Sequence, residues 1–76
     1  REPTSAGVQN ALALTLAQSG QFDEAIVEFK AAIRLMPGEP KLHENLARAQ
    51  FAAGRKGEAE ASAREAQRLL ASRRNR

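Results

Sequence analysis

The sequence predicts an all-α protein, an α-solenoid of two helix–turn–helix units, and three observations carry that expectation. Two segments lie in register at a spacing of 34 residues: Gly20 pairs with Gly54, Glu24 with Glu58, Ala25 with Ala59, Ala32 with Ala66, Leu12 with Leu46 and Leu35 with Leu69. Alanine and leucine are abundant, tyrosine and tryptophan are missing, and β-branched residues never gather into an alternating run. Gly20, Pro37-Gly38 and Gly54 divide the chain into four segments with helical apolar spacing. A unit of this size cannot bury its own apolar face and must stack on a neighbour, so the assembled chain presents a surface for binding.

The first helix is expected over about residues 5–19, with Thr4 or Ser5 as N-cap after Pro3. It places Val8, Leu12 and Leu16 on one stripe before Gly20 closes it in a left-handed cap. The second, over about 22–36, has the strongest pattern: Phe22, Ala25, Ile26, Phe29, Ala32, Ile33 and Met36 follow i, i+3, i+4 spacing. Asp23 and Glu24 put negative charge at the positive end of its dipole, and it stops where the residue before Pro37 is pushed out of helical geometry. Pro40 suits the first turn of a third helix, about 40–53, whose inner face carries Leu42, Leu46, Ala49 and Ala53. The fourth, about 57–72, opens poorly, with Arg55 and Lys56 at the wrong end of the dipole and Gly57 in the first turn. Its stripe of Ala59, Ala63, Ala66 and Leu70 is mostly methyl groups.

Composition sets bounds. Seventy-six residues make one small domain, able to bury only about 60% of the surface of its unfolded chain. With no cysteine and one histidine, His43, neither a disulfide nor a metal staple is expected, and the compartment stays open. The longest apolar stretch, Ala11 to Leu14, falls far short of the ~20 residues that span a bilayer. The chain begins at Arg1 rather than methionine, which reads as a processed form or an excerpt of something longer, with any signal peptide out of view.

The run Gly20-Gln21-Phe22-Asp23-Glu24-Ala25-Ile26, continued by Phe29, Ala32 and Pro37, resembles the second half of a tetratricopeptide repeat, and Leu12, Ala13 and Leu16 resemble its first half. The second unit departs from the family pattern. His43 stands where tryptophan or another large residue is usual, Gln50 and Ala63 replace the inner- and outer-helix aromatics, and Ala71 takes the place of the proline. The expected division is an N-terminal extension at 1–5, repeat 1 at 6–39, repeat 2 at 40–73 and a basic tail at 74–76.

The resemblance implies right-handed superhelical stacking, with the first helix of each unit lining a concave groove that holds an extended peptide or a partner's helix. The groove-facing candidates are Asn10, Leu14, Ala17 and Gln18 from the first helix and Lys41, Glu44, Asn45, Arg48 and Phe51 from the third. Members that grip a peptide backbone or carboxylate carry asparagine at the position of Asn45, and Lys41 and Arg48 lie one turn to either side. Asn10 and Leu14 stand where such a clamp carries lysine and asparagine, so a full carboxylate clamp is not matched; the competing reading makes Asn45 and Arg48 solvated polar residues. Two units with no separate capping helix leave the ends open. The partner is therefore expected to be a protein or peptide in the groove or on an end. Alternatively it is another copy, the first helix of one chain packing on the fourth of the next to give a dimer or filament, with Phe51 and Leu69-Leu70 as contacts.

Charge is uneven. Residues 1–61 hold seven basic and eight acidic residues, a net of −1, whereas 62–76 hold five arginines against Glu65, a net of +4. Arg64, Arg68, Arg73 and Arg74 suit the negative end of their helix dipole or form a contact to an anionic partner. With no aromatics beside the arginines, specific nucleic-acid binding is not expected. Catalysis has little to work with. His43 has no nucleophile and orienting acid nearby, and Asp23 and Glu24 point about 100° apart on a helix. Gly54 and Gly57 flank two basic residues with no preceding strand and no following Gly-Lys-Ser/Thr. No enzyme activity, no cofactor and no metal are expected of this chain.

Overall fold

The computed structural model describes residues 5–74, and four α-helices account for most of them: α1 Ser5–Gln18, α2 Phe22–Leu35, α3 Pro40–Ala52 and α4 Lys56–Arg74. There is no strand among the described residues. The possible cap at Thr4 and the Asn75-Arg76 end of the expected tail lie outside them, and Arg74 belongs to α4 rather than to a tail.

The two tight turns are built alike. After α1 the Gly20 N–H donates to the Ala17 carbonyl at 3.0 Å and the Gln21 N–H to the Leu16 carbonyl at 2.9 Å. One repeat later Gly54 donates to Phe51 at 3.0 Å and Arg55 to Gln50 at 2.8 Å. These paired bonds satisfy the last helical carbonyls and require a left-handed residue, supplied by Gly20 at φ +81° and Gly54 at φ +82°. The wider α2–α3 connection ends α2 at Leu35, before Pro37, and starts α3 with Pro40 at its first turn. His43 Nε2 sits 3.1 Å from the Pro37 carbonyl and ties α3 to this connection.

Packing follows chain order. α1 lies on α2, α3 on α4, and α3 also lies on α2 while touching α1, giving a slab with extents of 38 × 37 × 16 Å. The core is Ala13, Ala25, Ile26, Phe29, Leu46 and Ala49, flanked by Leu16, Ala17, Ile33 and Ala53. Phe29, 1% exposed, is the one large side chain fully buried among the described residues. Around it alanines let the helices approach closely: Ala13, Ala25, Ala32 and Ala59 are wholly covered.

Several expectations about faces are corrected. α1 buries Ala6 and Ala13, not Val8 and Leu12, which are exposed. Helix geometry gives the reason: Ala6 and Ala13, seven residues apart, share a face, and Val8, two residues from Ala6, lies about 200° away. Met36 lies past the end of α2 and is exposed, and Leu70 is exposed at the rim of α4. Despite its poor start, α4 is the longest helix at 19 residues. Arg55 donates to Asp23 at 3.0 Å, which neutralises one cation at its positive end, and Glu58 sits in the first turn.

Candidate functional site

Four of the groove candidates, Leu14, Ala17, Asn45 and Arg48, lie together on one cavity. Leu14 and Ala17 from α1, Phe22 and Phe29 from α2, and Asn45, Arg48 and Ala49 from α3 surround a hollow of about 130 Å³. Seven residues separate Lys41 from Arg48 and Leu14 is one repeat before Arg48, so these side chains follow the exposed stripes of α1 and α3. The cavity's walls are apolar, with aromatic side chains from Phe22 and Phe29. Its polar groups are the Asn45 carboxamide and the Arg48 guanidinium.

Asn45 is not the solvated residue of the bland reading. It is 7% exposed, and its Nδ2 donates to Asn10 Oδ1 at 3.3 Å, which ties α3 to α1. A buried carboxamide needs such a partner. Arg48 is exposed, with no ion pair or hydrogen bond among the described residues. Lys41 belongs elsewhere: it pairs with Glu44 at 3.9 Å and lines a separate hollow of about 250 Å³ with Asn10, Met36 and Glu39. Phe51 is half exposed on the Arg48 stripe of α3 and lines none of these cavities.

A larger trough of about 490 Å³ runs between α3 and α4, lined by Glu44, Ala47, Arg48, Ala63, Ala66, Gln67, Leu70 and Arg74. It arises where the second unit is thin. Ala63 occupies the register of Phe29, and Gln67 that of Ile33.

The arginines of α4 divide into two sets. Arg68 donates from Nε to Glu65 Oε1 at 3.0 Å, and Arg73 donates to Glu39 at 2.8 Å, across the boundary between the units. The Arg68 hydrogen bond holds the Glu65 carboxyl below the usual carboxylate range, opposed by partial desolvation and aided by the arginine's charge. Arg64 and Arg74 have no ion pair among the described residues.

Sequence reading missed the contacts that join elements. Buried Gln50 accepts a hydrogen bond from Ser62 at 2.7 Å and so joins α3 to α4, while Asp23 meets Arg55 between the two glycine turns. The one available signal was the period itself, since Glu39 and Arg73 are 34 residues apart. Among the described residues no group of three or more His, Cys, Asp or Glu is placed to hold a metal, and no helix is long and apolar enough to cross a membrane.

Comparison with curated proteins and with solved structures gave no match. The family model described as tetratricopeptide repeat matches residues 16–73, from the second half of α1 almost to the end of α4. With most of the chain matched and two glycine-turned helix pairs in register behind it, this protein belongs to the tetratricopeptide repeat family.

Proposed function

We propose that the chain binds a protein partner as an extended segment along the α1–α3 face, seating one apolar side chain in the Leu14–Phe22–Phe29 cavity beside Arg48. Tetratricopeptide repeats are in general protein–protein interaction modules and non-catalytic scaffolds, which supports the class of function. The observation that carries the finer reading is the cavity itself, because its apolar walls adjoin an exposed arginine with no ion-pair partner among the described residues. A carboxylate placed next to the apolar anchor would gain a charge-assisted hydrogen bond from Arg48. Half-exposed Phe51, one turn further along α3, extends the apolar contact. One anchor and one charged contact support affinity on the order of micromolar once ordering costs are met.

The alternatives draw less support. End-to-end stacking would seat α1 of one copy against a trough bearing Arg48, Gln67 and Arg74. Docking to an anionic surface would use Arg64, Arg68, Arg73 and Arg74, of which Arg68 and Arg73 are already engaged by Glu65 and Glu39.

The test is titration of the isotope-labelled chain with two octapeptides, one alternating leucine and glutamate, the other leucine and lysine. The acidic peptide should shift amide resonances around Leu14, Asn45 and Arg48, and Arg48→Glu should weaken it about tenfold while Arg64→Glu does not. Equal binding by both peptides, or shifts confined to the outer faces of α2 and α4, would exclude this reading.

A further inference from the structure

We infer that the trough between α3 and α4 is a second subsite for the partner segment, one that takes an acidic stretch of it and receives a carboxylate at Arg74. The partner is the one proposed for the α1–α3 face, so the trough's role rests on that reading and adds which residue types the segment carries beyond Arg48.

The two hollows meet at one side chain. Arg48 lines both the cavity of about 130 Å³ walled by Leu14, Phe22 and Phe29 and the trough of about 490 Å³. An extended segment anchored in the first and running past Arg48 enters the second. Only Ala53, Gly54 and Arg55 join α3 to α4, and the two helices pack together, so they run antiparallel. Arg48 lies one turn before the joined end, and Arg74 is the last residue of α4, at the opposite end. Between them the wall is Ala47, Ala63, Ala66 and Leu70. The helical rise sets Ala63 and Arg74 ~16 Å apart along α4, the length of about five residues of extended chain.

Charge and register choose the occupant. Neither Arg48 nor Arg74 has an ion pair among the described residues, and Glu44 on the same wall is paired with Lys41 at 3.9 Å. One repeat earlier the corresponding positions are Leu14 and Pro40, and Gln67 stands in the register of Ile33. The trough is therefore polar and cationic where the first unit is apolar. A second copy does not answer that charge, because α1, Ser5–Gln18, contains no charged residue. Stacking would press two guanidinium groups against an uncharged helix, whereas carboxylates on a peptide pair with them.

The experiment titrates the whole chain with two octapeptides. One alternates leucine and glutamate throughout; the other keeps that alternation in its first half and is serine in its second. The full peptide should bind about tenfold more tightly and should add amide shifts at Ala63, Gln67 and Leu70 to those at Leu14 and Asn45. Arg74→Gln should erase the tenfold difference and leave the half-serine peptide unchanged, while Arg64→Gln, the same loss of charge elsewhere on α4, should preserve it. Ala63→Phe keeps every charge and fills the trough, so it should erase the difference too. Equal affinity for the two peptides, or a difference that survives either Arg74→Gln or Ala63→Phe, would overturn the inference, and the α1–α3 reading would still stand if Arg48→Glu weakened both peptides. Shifts at Gln67 and Leu70 with none at Leu14 or Asn45 would instead exclude the α1–α3 reading and retain the trough as the acidic site. A peptide-free chain that sediments as a dimer and becomes a monomer on Leu70→Glu would also overturn the inference, by assigning the trough to a second copy.

Discussion

The two units share their turns and differ in their cores, and that contrast separates what the repeat requires from what each position contributes. Gly20 and Gly54 have nearly the same φ and the same pair of closing hydrogen bonds. Phe29 fills the first unit, whereas its counterpart Ala63 leaves a trough of about 490 Å³ between α3 and α4. The second unit compensates with polar links: Gln50 to Ser62 inside it, and Arg73 to Glu39 at its boundary. Hence the first unit depends on apolar volume and the second on hydrogen bonds.

The sharpest break of this contrast is the pair Phe29→Ala and Ala63→Phe. Removing the fully buried Phe29 ring should cost about 3–5 kcal/mol, enough to leave a domain of this size largely unfolded by circular dichroism. The reverse change at Ala63 should stabilise by about 1 kcal/mol, as the ring enters the trough and is partly buried. A loss of more than about 1 kcal/mol there would mean that Ala63 makes a close helix contact after all.

Next in size is Ser62→Ala. It leaves the Gln50 Oε1 without its 2.7 Å donor in a buried setting and should cost about 1–3 kcal/mol by urea denaturation. Asn10→Ala breaks a longer bond, 3.3 Å, and should cost less. If Ser62→Ala proved silent, water would be reaching Gln50 and the polar account of the second unit would fail.

Gly20→Ala and Gly54→Ala test the shared part. At neither glycine would an added Cβ meet an atom within 4 Å, so the cost is the left-handed backbone alone, about 1–2 kcal/mol at each. Equal losses would confirm that the turns are equivalent; a twofold disparity in their effects would show that one is strained by its helices.

These contrasts explain how far the sequence could be read. The turns and the α2 stripe were legible because their signals are local: a glycine at a helix end, and apolar residues at i, i+3, i+4 between Phe22 and Ile33. α1 misled because its leucines and alanines satisfy helical spacing on either face. The face that packs is chosen by how closely Ala13 lets its neighbours approach, a tertiary fact. Asn45 shows the same limit. Its spacing from Lys41 and Arg48 places it toward the groove, but Asn10, on another helix, gives it a partner and makes its burial tolerable. Arg73 read as a helix-dipole charge or an anionic contact because its acceptor lies one whole repeat away, at Glu39.

The smallest expected effect is electrostatic and confined to the second unit. Glu65 accepts from Arg68 and has its carboxyl pKa lowered in the fold, so the folded chain holds fewer protons than the unfolded chain within the carboxylate range. The contribution is therefore fully present above the ordinary glutamate pKa and is lost as pH falls through the lowered folded value. Because the pair is exposed, salt should screen it. An acid titration of melting temperature should show Glu65→Gln converging with the native chain at low pH and falling slightly below it at neutral pH, with the gap narrowing in high salt. A gap that widened on acidification would reverse the sign and assign the low-pH behaviour to another carboxylate, leaving the α4 pair without a stabilising role.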